Sequence, residues 1–272
     1  MSTFRSAPSA SSPADSSPQR DVVLPQYSAG QVLGIWALVT APMGVLAFVV
    51  APWVADRVDL HAGLVHWIAM VVGMMWQFVV SLGLLRREGP LDWATLKRRI
   101  RANPPRDPRT GVTSGRLWWW VLPAILANVL LGLAAAGVDS WWGRLTGLSE
   151  PAYANISALA DRQFAGQWWI LGLALVSSLF NYVLGEELIF RGVLLPRMRG
   201  AFGRADWVVN TVLFGLYHVH KIWFWPSMIV SSFGIAWAAG RYRSFWMGVI
   251  VHGVEGLIVV GAVTAVVAGW YP

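Results

Sequence analysis

The segment from Gly185 to Gly200, GEELIFRGVLLPRMRG, sets two adjacent carboxylates and an arginine directly after a long apolar run. Glu187 and Arg191 are four residues apart, so on a helix they share a face and can pair. Glu186 is turned about 100° from Glu187. One glutamate can therefore be neutralised by arginine while the other faces a cavity, free to take a proton from water as a general base. Two further groups of the same kind follow. Phe214 and His218 again lie four apart on one face, an aromatic wall beside an imidazole. His252 stands in the last apolar segment, with Glu255 within about 60° of its face and expected to orient the ring. Two histidines and a glutamate are also zinc-ligand types. They lack the HExxH spacing that sets ligands on successive helical turns. The reading is general-base chemistry without a metal, with zinc as the alternative.

The elements that must position these groups are membrane-spanning helices. Of 272 residues 56% are hydrophobic and 13% charged, about half the charge of an ordinary soluble domain. Apolar runs near 20 residues recur, the length that crosses a hydrocarbon core of about 30 Å. Seven such segments are expected, at about 31–54, 62–85, 117–138, 167–190, 206–223, 226–240 and 245–270. The fold class is thus an all-α polytopic membrane protein with about seven transmembrane helices around a polar intramembrane cavity. Residues 1–27, rich in Ser, Pro and Ala, read as a disordered tail with no apolar signal segment, and 28–272 as the transmembrane domain. There is no cysteine, which removes disulfides, thiolate metal sites and a cysteine nucleophile. The net charge of +7 is read as basic loops on the inner face of a membrane, with membrane lipids as partners and no nucleic acid.

The loop charges orient the chain. Between Arg86 and Arg116 stand nine basic residues against three acidic ones, which predicts a cytoplasmic loop. The 139–166 connection has two basic and three acidic residues and reads as external. With Arg197, Arg199, Arg204, Arg241 and Arg243 also inside, the N-terminus is expected in the cytoplasm. The expected location is a bacterial plasma membrane, crossed several times. Tryptophans at segment ends, such as Trp118 to Trp120, Trp141, Trp142, Trp168 and Trp169, read as interfacial anchors. His220 and Lys221 read as interfacial too, and His66 as a packed or interfacial histidine.

Ionisable groups inside apolar segments are costly and mostly face an interior or wet cavity. Counted from the cytoplasmic ends of their helices, at Arg197, Asp206 and Arg243, Glu186, His218 and His252 reach about 16, 18 and 14 Å into the membrane. Three groups on three helices at one depth predict one shared site.

These motifs resemble those of the CPBP family of intramembrane proteases, the group of Rce1-type CAAX prenyl endopeptidases and their bacterial relatives. The family's EExxxR and FxxxH motifs stand here as Glu186-Glu187-x-x-x-Arg191 and Phe214-x-x-x-His218, and a third, HxxxN or HxxxD, begins at His252. The resemblance covers about residues 165–262. It implies an intramembrane endopeptidase in which Glu186 activates water, His218 holds or polarises it and His252 stabilises the oxyanion, while Glu187 and Arg191 orient the site. Its substrate would be a peptide or a prenylated protein, of CAAX type or in bacteriocin-related processing. Family members have also been described as metalloproteases. Gly256 stands where the third motif has Asn or Asp. A side-chain amide in an oxyanion hole is worth roughly 3 kcal/mol, so its absence predicts weaker catalysis. Two rivals follow: a catalytically weak or inactive relative acting as a membrane scaffold or self-immunity protein, and a proton-coupled transporter. The transporter would often show internal repetition of its segments, and none is visible.

Overall fold

A computed structural model describes residues 23–270. Most of the segment expected as a tail lies outside the described residues. Its last residues are tied to the body: the Tyr27 backbone N–H donates to the Arg197 carbonyl at 2.9 Å, and Gln26 reaches the Pro196 carbonyl at 3.3 Å.

The described chain is helical, with no β-strand. The helices are α1 (Ala29–Ala55), α2 (Ala62–Arg87), the short α3 (Trp93–Arg99), α4 (Gly115–Thr146), α5 (Trp169–Arg197), α6 (Asp206–Tyr217), α7 (Val219–Val230), α8 (Phe233–Arg241) and α9 (Phe245–Val267). Local chemistry explains where several of them start. Ser28 accepts from the Gln31 N–H while the Gln31 side chain accepts from the Ser28 N–H, a closed capping box for α1. His61 caps α2 through Nδ1, and Asp92 caps α3. Arg86 and Arg87 end α2 against the negative end of its dipole.

Among the described residues, five helices are long and apolar enough to cross a membrane, or six if the bent pair α7 and α8 is one span. About seven were expected, and the difference lies in the fifth and sixth segments. Helix α6 has 12 residues, roughly 18 Å, too short for a full crossing. It stops at His218, whose backbone leaves the helical region at φ −73° and ψ 50°. Helices α7 and α8 then meet at a 55° bend. Hydropathy marks both stretches as apolar, but only backbone geometry shows where an apolar run breaks.

Helix α5 holds the centre, packed by α2, α6 and α9, with α1 against α2 and α4 against α7 and α8. The outer face of α4 exposes Leu122, Leu126, Leu130 and Leu133, as a lipid-facing helix does. Trp119, Trp120, Trp141, Trp168 and Trp169 are exposed at helix ends, consistent with anchoring.

One buried ion pair ties the basic end together. Arg197, fully buried at the end of α5, donates to both Glu88 oxygens at 2.6 Å and to the carbonyls of Gly192 and Val193. Tyr27 adds its hydroxyl to Glu88 at 3.2 Å. Removing one partner of such a pair leaves a buried charge uncompensated, at roughly 3–5 kcal/mol. Glu88→Ala should therefore lower the thermal midpoint of the detergent-solubilised protein markedly. The exposed control Glu255→Ala should leave it nearly unchanged.

Candidate active site

Helix α5 is not a regular α-helix where it carries the glutamates. It begins as one over Trp169–Leu179, widens to π-helix over Phe180–Leu184, and is π-helical again over Leu188–Leu194. The transition is closed by the Gly185 N–H donating to the Phe180 carbonyl at 2.7 Å. Such wide turns in membrane helices are sustained where neighbouring groups satisfy the freed backbone. Here Asn210 of α6 donates to the Phe190 carbonyl at 2.9 Å.

The two adjacent carboxylates have different surroundings. Glu187 is fully buried and ionically paired: its Oε1 lies 3.0 Å from Arg191 Nη1 and 3.1 Å from His252 Nδ1. Glu186, 2% exposed, has neutral partners. The Tyr217 hydroxyl donates to it at 3.2 Å and in turn receives the Gln77 amide. Asn181 donates to both Glu186 oxygens at 2.8 and 3.1 Å once its nitrogen faces the carboxylate. That orientation is assigned from hydrogen bonding, because the reverse sets oxygen against oxygen.

The histidines complete the cluster. His218 Nδ1 meets the Phe214 carbonyl at 2.8 Å, which fixes the proton on Nδ1 and leaves Nε2 as an acceptor. The break in backbone at His218 is held by the Trp225 indole, which donates to its carbonyl at 3.2 Å. Phe214 stands edge-to-face with His218 at 4.8 Å and His252 at 5.5 Å. Its own face carries the Arg191 guanidinium 3.9 Å from the ring centre, a cation–π contact inside the protein. Glu186, Glu187, Arg191, Phe214, His218 and His252 are all buried, so the expected cavity is a closed polar cluster.

Two expectations are corrected. Glu255 does not orient His252: it is 3.9 Å from Nε2 and 63% exposed, while Glu187 holds Nδ1. Hydrophobic surroundings favour the partner that is already buried and paired. His220 is not interfacial but buried, its ring 5.5 Å from that of His218, because the first turn of α7 packs against α1 and α4; Lys221 beside it is exposed. His66 is buried against Tyr153.

Sequence reasoning missed Asn181, Tyr182, Tyr217 and Gln77. Asn181 precedes Glu186 by five residues, about 140° away on an α-helix. The wider π turn is what brings residues five apart onto one face. Tyr217 had a signal, since it adjoins His218 in the motif. Gln77 is a lone amide in an apolar helix, a position that requires a buried partner.

No group of three His, Asp or Glu side chains among the described residues stands close enough to share a metal ion. Nε2 of His218 and of His252 each remain open, but without a third side chain beside them the donor set falls short of the three protein ligands of a catalytic zinc site.

Residues 167–258 match the family model of the Rce1-like type II CAAX prenyl endopeptidases. No curated protein and no solved structure matches the chain. The match runs from α5 to residue 258 within α9 and takes in Glu186, Glu187, Arg191, Phe214, His218 and His252, a similarity to intramembrane peptidases.

The Glu187 position depends on Gly248 of α9. A Cβ there would lie 2.6 Å from Glu187 Oε2 and 3.3 Å from Arg191 Cγ. At Gly253, on the same helix, a Cβ meets nothing within 4 Å. Gly248→Ala should lower the thermal midpoint in detergent, whereas Gly253→Ala should match or exceed wild type through helix propensity.

Proposed function

We propose that this chain, whose residues 167–258 match the Rce1-like CAAX prenyl endopeptidase family model, is an intramembrane endopeptidase in which Glu186 activates water. The observation that carries the reading is the division of labour between adjacent carboxylates. Glu187 is held by Arg191 and His252, whereas Glu186 receives only neutral donors and keeps lone pairs for a water proton.

Both remaining site functions at the water are acceptors. Water donates one hydrogen to Glu186 and the other to Nε2 of His218, which turns an oxygen lone pair toward the peptide carbonyl. As the O–C bond forms, the proton on the Glu186 side passes to its carboxylate, and the carbonyl π pair moves onto oxygen. The tetrahedral intermediate then expels the amine as the C–N bond breaks, and Glu186 returns the proton to the leaving nitrogen. His252, fixed by Glu187 through Nδ1, stabilises charge on the carbonyl oxygen when its imidazole carries both protons. Phe214 and Arg191 fix the distance between the two histidine-bearing helices.

The substrate is a peptide or membrane-anchored protein cleaved near the cytoplasmic face of a plasma membrane. The basic loop between Arg86 and Arg116 supports that orientation. Candidate substrates include C-terminal prenylated tails and peptides of the bacteriocin type.

Comparing new protein termini in membranes from cells carrying wild type or Glu186→Gln tests the proposal. Gln is nearly isosteric but cannot take the proton. A defined set of termini should disappear in the variant at equal protein abundance. Identical terminus profiles would refute the peptidase.

A further inference from the structure

Charge that develops on the carbonyl oxygen needs a hydrogen-bond donor, and most donors of the cluster are already committed. The Tyr217 hydroxyl and the Asn181 amide serve Glu186. Arg191 is held by its ion pair with Glu187 and by the Phe214 face, although its guanidinium nitrogens make no hydrogen bond. His218 gives its Nδ1 proton to a backbone carbonyl, and His252 directs Nδ1 at Glu187. A neutral His252 with its proton on Nδ1 presents Nε2 as an acceptor, so it supplies no N–H there unless it carries both protons.

One more O–H group stands at the site. Tyr182, 6% exposed in the first π-helical stretch of α5, sets its ring edge-to-face on His252 at 4.7 Å. Asn181 and Glu186 stand beside it on α5. The ring reaches this place because residue 256 has no side chain. A Cβ on Gly256 would collide with Cε2 and Cδ2 of Tyr182 and lie 3.2 Å from Cζ, the carbon that bears the hydroxyl. The phenol therefore occupies the volume that a side chain on α9, four residues after His252, would enter.

Resting on the peptidase reading, we propose that Tyr182 is a further catalytic residue, its hydroxyl donating to the carbonyl oxygen as that oxygen becomes negative. Its O–H rotates freely about the C–O bond, so it can turn toward the substrate. The charge balance favours this timing. The Glu186 carboxylate becomes neutral as it takes the water proton, and the same negative charge moves onto the carbonyl oxygen within reach of the phenol. The hydroxyl keeps its proton throughout, and the hydrogen bond weakens when the C–N bond breaks and the carbonyl re-forms. Gly256 is then the space that the phenol requires, and the missing amide of the third motif has a substitute on another helix.

The test follows the rate at which Glu186-dependent termini appear after induction in membranes, for wild type, Tyr182→Phe, Tyr182→Ala and the exchange Tyr182→Ala with Gly256→Asn. Phe keeps the ring and its packing, so the thermal midpoint in detergent should match wild type. The termini should form about 100-fold more slowly, the effect of removing one oxyanion donor. The exchange variant, which places an amide donor in the vacated volume, should recover at least tenfold of the rate lost in Tyr182→Ala. If Tyr182→Phe works at the wild-type rate while Glu186→Gln forms no termini, the phenol is packing only and the peptidase stands. If Glu186→Gln equals wild type, both readings fall.

Discussion

The burial of the Glu187 carboxylate is the constraint on which the site depends. Moving an ion of this kind out of water costs several kcal/mol even after relaxation, and the cost is recovered only with a close counter-ion and good geometry. Arg191 supplies the counter-ion from the same helix and His252 a hydrogen bond from α9, both at Oε1, while Oε2 makes no hydrogen bond. The pair fixes the rotation of α5 and the depth of α9 together. Every other placement in the cluster follows: with Glu187 turned to α9, Glu186 must face α6 and α2, where Tyr217 and Gln77 receive it.

The backbone of α5 departs from the ordinary helix over the same residues. Two π-helical stretches flank the glutamates, and α6 stops at His218 instead of crossing the membrane. In hydrocarbon an unpaired backbone carbonyl costs several kcal/mol, so such irregularity persists only where side chains or buried neighbours repair it. Asn210 on the Phe190 carbonyl, Trp36 on the Leu213 carbonyl at 2.7 Å and Trp225 on the His218 carbonyl are those repairs. The residues that hold the irregular backbone surround the residues proposed for chemistry. Stability and function therefore draw on the same hydrogen bonds.

Aromatic rings fill the space between the charged groups. His252 lies between Tyr182 and Phe214, and Phe214 in turn supports His218 and carries Arg191 on its face. Edge-to-face contacts at these separations hold an imidazole by its ring while leaving its nitrogens available. The arrangement explains why a phenylalanine precedes His218 by four residues: the ring is a spacer between two histidines on different helices.

Much of this was legible in the sequence, and the limits are physical. Composition and run length determined an all-α membrane protein, because the bilayer sets both the apolarity and the length of a span. The pairing of Glu187 with Arg191 was readable because four-residue spacing is a local property of a helix. The meeting of Glu186, His218 and His252 within one buried cluster was legible only as equal depth. Local periodicity could not show that α5 widens at Phe180 and so brings Asn181 onto Glu186, nor that α6 ends at His218. It assigned His252 to its sequence neighbour Glu255, whereas the packing of two helices gave it to Glu187. The role of Gly256 lay furthest from view. From the sequence it is a missing side chain, and only the tertiary structure decided that the space belongs to Tyr182, because which ring fills a gap depends on residues 74 positions apart being pressed together.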